Sequence, residues 1–324
     1  MIRRLGFYVV AAWVALTINF LIPHLLPGTP VEAMLAQHPQ LTASAVKALD
    51  IQFGIGHHGS LLHQYGIYLD HLIHGNLGVS TAAYPSSVVS VLETALPWTL
   101  ALVGTATIIS FLLGTLLGIL AGWRRGGRFD QLLPAFTFLQ ATPYFFLALI
   151  AIQLFANDWH LLPGYGGATL GVPTGFNSAF IGSAISHGIL PAATIIVTSM
   201  AGWMLQMRNV MITTIGEDYV LAAEAKGLST RRVMFTYAAR NAILPNIAGF
   251  ALAIGFVVAG ALVMEIVFSY PGIGYLLYNA VGQDDFPVMQ GIFLAISATV
   301  LLACLLADVI YVIADPRTRR RAAF

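Results

Sequence analysis

Charge is what this 324-residue sequence has least of, since Asp, Glu, Lys and Arg together make up 9% of it, against about 25% in ordinary soluble domains. A chain so short of charge cannot cover a surface that faces water. Cysteine is rarer still. Cys304 stands alone, so no disulfide can form within the chain. The sequence also lacks the short signatures of hydrolytic, nucleotide-binding and redox sites: it holds no H-E-x-x-H, no G-x-S-x-G, no G-x-x-x-x-G-K-[ST] and no C-x-x-C. Energy from nucleotide hydrolysis, if it is used, has to arrive from another subunit.

What is present in excess is apolar sequence, at 58% of the chain. An apolar run of about 18 residues or more reads as a membrane-spanning helix, because roughly 20 residues at 1.5 Å each cross a hydrocarbon core about 30 Å thick. Six stretches qualify: Leu5 to Leu26, Pro97 to Gly122, Leu132 to Ala156, Gly188 to Met207, Ile247 to Phe268, and Val288 to Ile313. The first follows Arg3 and Arg4 as a signal peptide would. Its 22-residue run exceeds the 7 to 15 residues or so of a signal core, and no A-x-A site follows. It is read as a retained span. The expected fold is an all-α integral membrane protein with six transmembrane helices.

Every Lys and Arg except Lys47 falls on one side of those spans, and short cytoplasmic loops carry the excess of cations. Both termini and the loop 212–246 are therefore expected in the cytoplasm, with a basic tail at 314–324. Residues 27–96, 157–187 and 269–287 face outward. The first of these, between the N-terminal span (1–26) and the five-span core (97–313), is the only extracytoplasmic segment of any size. It reads as one or two short helices with turns at Gly75 to Ser80 and at Pro85 and Ser86.

No ionisable side chain falls in the middle of a predicted span, whereas carriers driven by ions usually place such groups near the midplane. That weakens ion coupling without excluding it, since neutral carbonyls hold sodium. Gly114, Gly118 and Gly122 recur every four residues and lay bare backbone along one face of span 2. Two readings stay open for that face, packing within the chain or an interface with a partner subunit. The same choice applies to Ala251, Gly255 and Ala259.

The one dense polar stretch is "EDYVLAAEAKGLSTRRV", Glu217 to Val233. Asp218 suits the first turn of a short helix, Leu221 to Lys226 are good helix formers, and Gly227 followed by Leu228 suits a left-handed end. Ser229 suits the start of a second helix, which stops or kinks at Pro245. A helix lying among lipid headgroups would set Leu, Phe or Trp against several Lys or Arg. Alanines and acids in their place suit a groove on another protein.

"AAEAKGLSTRRVMFTYAARNAILPN" resembles the cytoplasmic "EAA" loop of the membrane permease subunits of ABC-type importers, in the version of the dipeptide/oligopeptide/nickel permease group. Leu221 stands where the wider superfamily has Glu, and the eighteen steps from Gly227 to Pro245 exceed the general spacing. Both departures are familiar in the peptide group. The likeness continues through "RRLGFYVVAAWVALTINFLIPHLLPGTP", "NLGVS", "HGILPAATI" and, most specifically, "EIVFSYPGIGYLLYNAVGQDDFPVMQG".

The resemblance implies a type I ABC importer permease fold in a bacterial cytoplasmic (inner) membrane. It implies that the polar helix is a coupling helix, acting through Tyr219, Ala222, Ala223, Glu224, Lys226, Gly227 and Leu228. It implies an outer gate or binding-protein docking role for Glu265, Tyr270, Pro271, Gly272 and Gly274. The implied partners are a second homologous permease, one or two ATP-binding subunits, an extracytoplasmic solute-binding protein, a peptide substrate and the bilayer, with no nucleic acid. No catalytic residue or cofactor is expected on this chain, and ATP and Mg belong to the partner subunits. His57, His58, His63, His71 and His74 cluster in the first outer segment. They read as solvated or docking residues, with a nickel or haem site at His71 and His74 as the other reading. A self-sufficient channel or carrier and a membrane enzyme or scaffold are the remaining alternatives.

Overall fold

A computed structural model of the chain describes residues 2–25, 60–258 and 262–314. In chain order its main helices are α1 (Ile2–Leu25), α2 (Leu61–Ile73), α3 (Val88–Thr99), α4 (Thr105–Trp123), α5 (Leu133–Ala141), α6 (Tyr144–Ala151), α7 (Ser178–Ile215), α8 (Asp218–Ala225), α9 (Leu244–Gly255), α10 (Leu262–Val267), α11 (Ile273–Gly282) and α12 (Phe286–Ala314). Among the described residues there is no strand, only an isolated bridge between Val79 and Ser87.

Three helices in the described residues are long and apolar enough to cross a bilayer: Val88–Trp123, Ser178–Ile215 and Phe286–Asp308. Val88–Trp123 starts nine residues before the expected Pro97 and wraps one wider π turn, Leu100–Gly104, just beyond that proline. The ring of Pro97 removes a backbone donor and crowds the preceding turn, and the wider turn absorbs the misfit. Span 3 departs from the straight rod expected over Leu132 to Ala156. Asp130–Ala141 and Tyr144–Asp158 meet at 96°. Thr142 there is extended, at φ −81 and ψ 127, because the following Pro143 disfavours helical backbone before it. Where the first and fifth spans are expected, the described residues hold only shorter apolar helical stretches, Gly6–Ile22 and Leu244–Gly255, and the expected rod Ile247 to Phe268 is interrupted after Gly255, with α10 starting at Leu262. Ala259 and the histidines His57 and His58 lie outside the described residues.

The chain divides into two compact units. The first comprises Met1–Thr99, Val258–Leu262 and Pro271–Leu301. Its core joins Val88 and Ala95 of α3, Ile273 and Leu277 of α11, and Phe286 and Ile292 of α12. Asp285, just ahead of α12, is 2% exposed. Its carboxylate accepts from Ser80 Oγ (2.5 Å), from the Thr81 and Ala82 N–H groups (3.2 Å each) and from the Val288 N–H (3.3 Å). One side chain thus caps α12 and holds the turn after α2. The side-chain amides of Asn19 in α1 and Gln290 in α12 each donate to the other's main-chain carbonyl at 3.1 Å, beside the ring cluster of Phe20, Tyr65 and Tyr68.

The second unit comprises Leu100–Val257, Val263–Tyr270 and Leu302–Phe324. At its centre α4 and α7 run side by side in the same direction. A Cβ at Gly114 would stand 2.6 Å from the Met200 carbonyl oxygen, one at Gly118 2.6 Å from that of Met204, and one at Gly122 2.6 Å from Met211 Cβ. The glycine face is filled by this chain's own α7, which closes the choice left open by the sequence against the partner-interface reading. In lipid, backbones that approach this closely gain dispersion contacts that larger residues would hold apart. Asn246 of α9 is buried across the same pair and donates to Thr115 Oγ1 (3.2 Å) and the Trp203 carbonyl (3.3 Å).

Candidate functional site

The polar stretch folds as its composition suggests. Helix α8 spans Asp218–Ala225, with Glu217 in extended backbone before it and Asp218 in the first turn. It ends where Gly227 turns to φ +72. The Gly227 N–H reaches the Glu224 carbonyl at 2.8 Å and the Leu228 N–H the Ala223 carbonyl at 3.4 Å, the paired bonds of a Schellman end. Ser229 precedes the next helical run without a side-chain cap bond. That run extends from 230 to 242, and α9 then starts at Leu244 with Pro245 in its first turn.

Burial divides α8 in two. Val220 is 0% and Ala223 2% exposed, packed in a core with Ile119, Met207, Met211, Val233 and Ala239. Tyr219, Leu221, Ala222, Glu224, Lys226 and Gly227 are exposed, and Leu228 is half-buried against the core. Of the seven residues expected to couple, Ala223 therefore seats the helix on its own chain, while the others lie on or beside the open face. Leu221, 51% exposed, joins that face although the sequence singled it out only as a departure from a motif.

Elsewhere in the second unit the chain is braced by a pair the sequence did not indicate. Arg208 Nε donates to Asp130 Oδ1 at 2.6 Å, and the Gly126 N–H donates to Oδ2 at 2.8 Å. The Arg208 bond first, and the Gly126 bond after it, hold the Asp130 carboxyl below the usual carboxylate range. The two residues are 78 positions apart, beyond the reach of any local pattern.

The residues expected at an outer gate are buried, apart from a half-buried Pro271. Glu265 is 0% exposed and Tyr270 3%, and Gly272 and Gly274 are buried. Glu265 and Tyr270 belong to the second unit, where the Tyr270 N–H closes α10 on the Glu265 carbonyl at 2.8 Å. Burial, with Glu265 adding to it, pushes the Tyr270 phenol up to about 12. In the first unit, Gly272 is extended before α11 and the Ile273 N–H donates to Thr99 Oγ1 at 2.8 Å.

His71 and His74 are exposed at the end of α2, where His74 Nδ1 lies 2.8 Å from the Asp70 carbonyl oxygen. Among the described residues no group of three or more His, Cys, Asp or Glu is placed to hold a metal ion.

The second unit also contains a cavity of about 790 Å³. Gln140 of α5 and Ser199, Gln206 and Asn209 of α7 are exposed along it, and Thr107 and Ser110 of α4 line its other side. A Cβ on Gly202 would stand 3.7 Å from Gln140 Nε2, so the α5 amide lies directly over α7.

Residues 114–320 match the family described as "Binding-protein-dependent transport system inner membrane component". Among curated proteins the chain is 33% identical to the di/tripeptide transport system permease protein DppB of Pseudomonas aeruginosa (strain UCBPP-PA14), over 98% of each chain. It is 32% identical to the dipeptide transport system permease protein DppB of Escherichia coli (strain K12), over 99% of this chain and 98% of that one. It is 30% identical to the oligopeptide transport system permease protein AppB of Bacillus subtilis (strain 168), over 93% and 92%.

Proposed function

We propose, for a chain that belongs to the family of binding-protein-dependent transport system inner membrane components, the role of permease subunit in an ATP-driven importer of di- and oligopeptides. Full-length relatives named for peptide transport support the substrate class. The observation that carries the mechanism is α8: Val220 and Ala223 anchor it in the chain's own core, while Tyr219, Leu221 and Ala222 face outward. A rod of eight residues, about 12 Å long, fixed on one side and open on the other, suits a cleft on an ATP-binding subunit.

In this reading the chain has six spans, with both termini and α8 in the cytoplasm of a bacterial inner membrane and the segment around α2 outside. A second, homologous permease completes the pathway. An external binding protein delivers peptide, and ATP and Mg are held by the ATP-binding subunits. Closure of those subunits pulls on α8 and shifts the spans as rigid bodies between inward-open and outward-open states. Burial of Glu265, Tyr270, Gly272 and Gly274 supports a fixed part of the outer gate over a docking surface.

The experiment is gentle detergent purification of the chain from its native membrane, followed by mass spectrometry of what accompanies it. Recovery of a second permease, ATP-binding subunits and a binding protein carrying peptide is the expected result. Recovery of the chain alone, under conditions where a known transporter complex survives, would overturn the reading.

A further inference from the structure

The cavity of the second unit presents uncharged polar groups, Gln140 and Ser199 within expected spans and Gln206 and Asn209 at the end of one. Gln140, Ser199, Gln206 and Asn209 are all exposed along it, although an amide facing hydrocarbon without a partner is strongly unfavourable. The face therefore has to meet something polar. Its lining side chains carry no charge, and Arg208, which donates to the lining Asn209 Oδ1 at 3.4 Å, is paired with Asp130 at 2.6 Å. A primary amide offers one acceptor and two donors, which match the N–H and C=O groups of a peptide main chain.

Dimensions agree. Ser199 and Asn209 stand ten positions apart on α7, a rise of about 15 Å, and an extended peptide advances about 3.3 to 3.6 Å per residue, so four or so peptide residues would lie along the face. Trp203 forms an apolar wall beside the amides. It is fixed by edge contact with Phe111 (5.4 Å) and by Gly249, where a Cβ would come within 3.2 Å of its ring.

We infer that Gln140, Ser199, Gln206 and Asn209 form this chain's share of the peptide path and hold the passing peptide by its main-chain amides. The inference rests on the peptide-importer reading above. It makes passage indifferent to side-chain charge, leaving discrimination to whatever delivers the peptide.

The test uses the complete complex in proteoliposomes, with saturating binding protein and ATP, and compares uptake of Lys-Ala, Glu-Ala and Ala-Ala. Gln206→Glu is expected to raise the Lys-Ala to Glu-Ala uptake ratio about tenfold over the unsubstituted complex, and Gln206→Lys to lower it by a similar factor. A ratio within threefold of the original in both variants, with uptake retained, overturns the inference. Equal loss of all three peptides together with loss of the second permease also overturns it, because the face would then be a subunit contact. Gln140→Glu, read on the same ratio, decides the matter if neither Gln206 variant assembles. Failure of the unsubstituted complex to take up any of the three peptides needs no variant to detect, and overturns the importer reading itself.

Discussion

Among the described residues four helices end with the same pair of hydrogen bonds, and two have glycine at the turn: Gly227, and Gly75 at φ +71, whose N–H reaches the Leu72 carbonyl (3.0 Å) while the Asn76 N–H reaches that of His71 (2.9 Å). Gly227 at φ +72, Ser269 at φ +48 and Asp284 at φ +52 each occupy left-handed backbone. Behind Ser269 the bonds run from its N–H to the Ile266 carbonyl (3.0 Å) and from the Tyr270 N–H to the Glu265 carbonyl (2.8 Å); behind Asp284 they run to Val281 (3.4 Å) and from Asp285 to Ala280 (2.8 Å). A side chain in that region costs about 1 to 2 kcal/mol relative to glycine. No atom lies within 4 Å of a Cβ built on Gly227, so Gly227→Ala should destabilise by the backbone term alone, about 1 kcal/mol, while Ser269→Gly should shift stability the other way. Thermal unfolding of the purified variants in one detergent should move in opposite directions. Since Gly227 also sets the end of α8, Gly227→Leu should lower ATP-driven uptake while the spans still insert, and normal uptake would argue against coupling through α8.

Close approach poses a different constraint. Gly118→Ala puts a methyl group 2.6 Å from both the Met204 carbonyl oxygen and Met207 Cβ, and since one of these is backbone, α4 and α7 have to separate. Overpacking of this kind typically costs about 1 to 3 kcal/mol. Gly182→Ala, where nothing lies within 4 Å, provides the comparison. Equal melting temperatures for the two would contradict the packing described.

Among the elements, what the sequence made legible depended on local signals. The end of α8 was readable because Gly227 and Leu228 are adjacent, and the broken start of α9 because of Pro245. The bend in span 3 was not read, since its apolar run continues unbroken through Thr142 and Pro143. The ends at Ser269 and Asp284 carry no glycine to announce them. Helical spacing alone would put Tyr219 on one side of α8 with Val220 and Ala223, yet Tyr219 is exposed and the other two are buried, because which face meets the chain's own core depends on Ile119, Met207 and Met211, the first of them about a hundred positions away along the chain. Asp285 is the clearest omission. In the sequence it is one of two adjacent acids, yet in the fold it gathers donors from residues 80 to 82, more than two hundred positions earlier. Asp285→Ala leaves those buried donors without their acceptor, at a cost of about 3 kcal/mol or more. Amide hydrogen exchange at Thr81, Ala82 and Val288 should accelerate by at least tenfold, and unchanged exchange there would show that the turn is held by other contacts. Asp285→Asn should have a smaller effect, because its remaining carbonyl oxygen can still accept at the Oδ1 position.

At the scale of the whole molecule, the question is where the work of transport comes from. The chain has no nucleotide-binding signature, and the ionised pair described in the second unit, Asp130 with Arg208, sits at the ends of the spans, in the loop before α5 and in the last third of α7. Its carboxyl is held below the ordinary range. Any stability it contributes is therefore complete above pH about 4 and is lost only as pH falls through the lower folded value, so the pair has no proton to exchange near neutrality. The cavity residues Gln140, Ser199, Gln206 and Asn209 carry no titratable group. A path of this composition can bind and release a peptide without extracting energy from a proton gradient. The chain reconstituted alone into liposomes should accumulate no peptide under an imposed proton or sodium gradient. Liposomes containing the second permease and the ATP-binding subunits as well, supplied with binding protein outside and ATP inside, should concentrate peptide, and doing so should require hydrolysis. Accumulation by the chain alone would assign the driving force to its own residues and leave the open face of α8 without a role in transport. Accumulation only in the complete assembly, abolished by Gly227→Leu with ATP hydrolysis retained, would trace the work through that face.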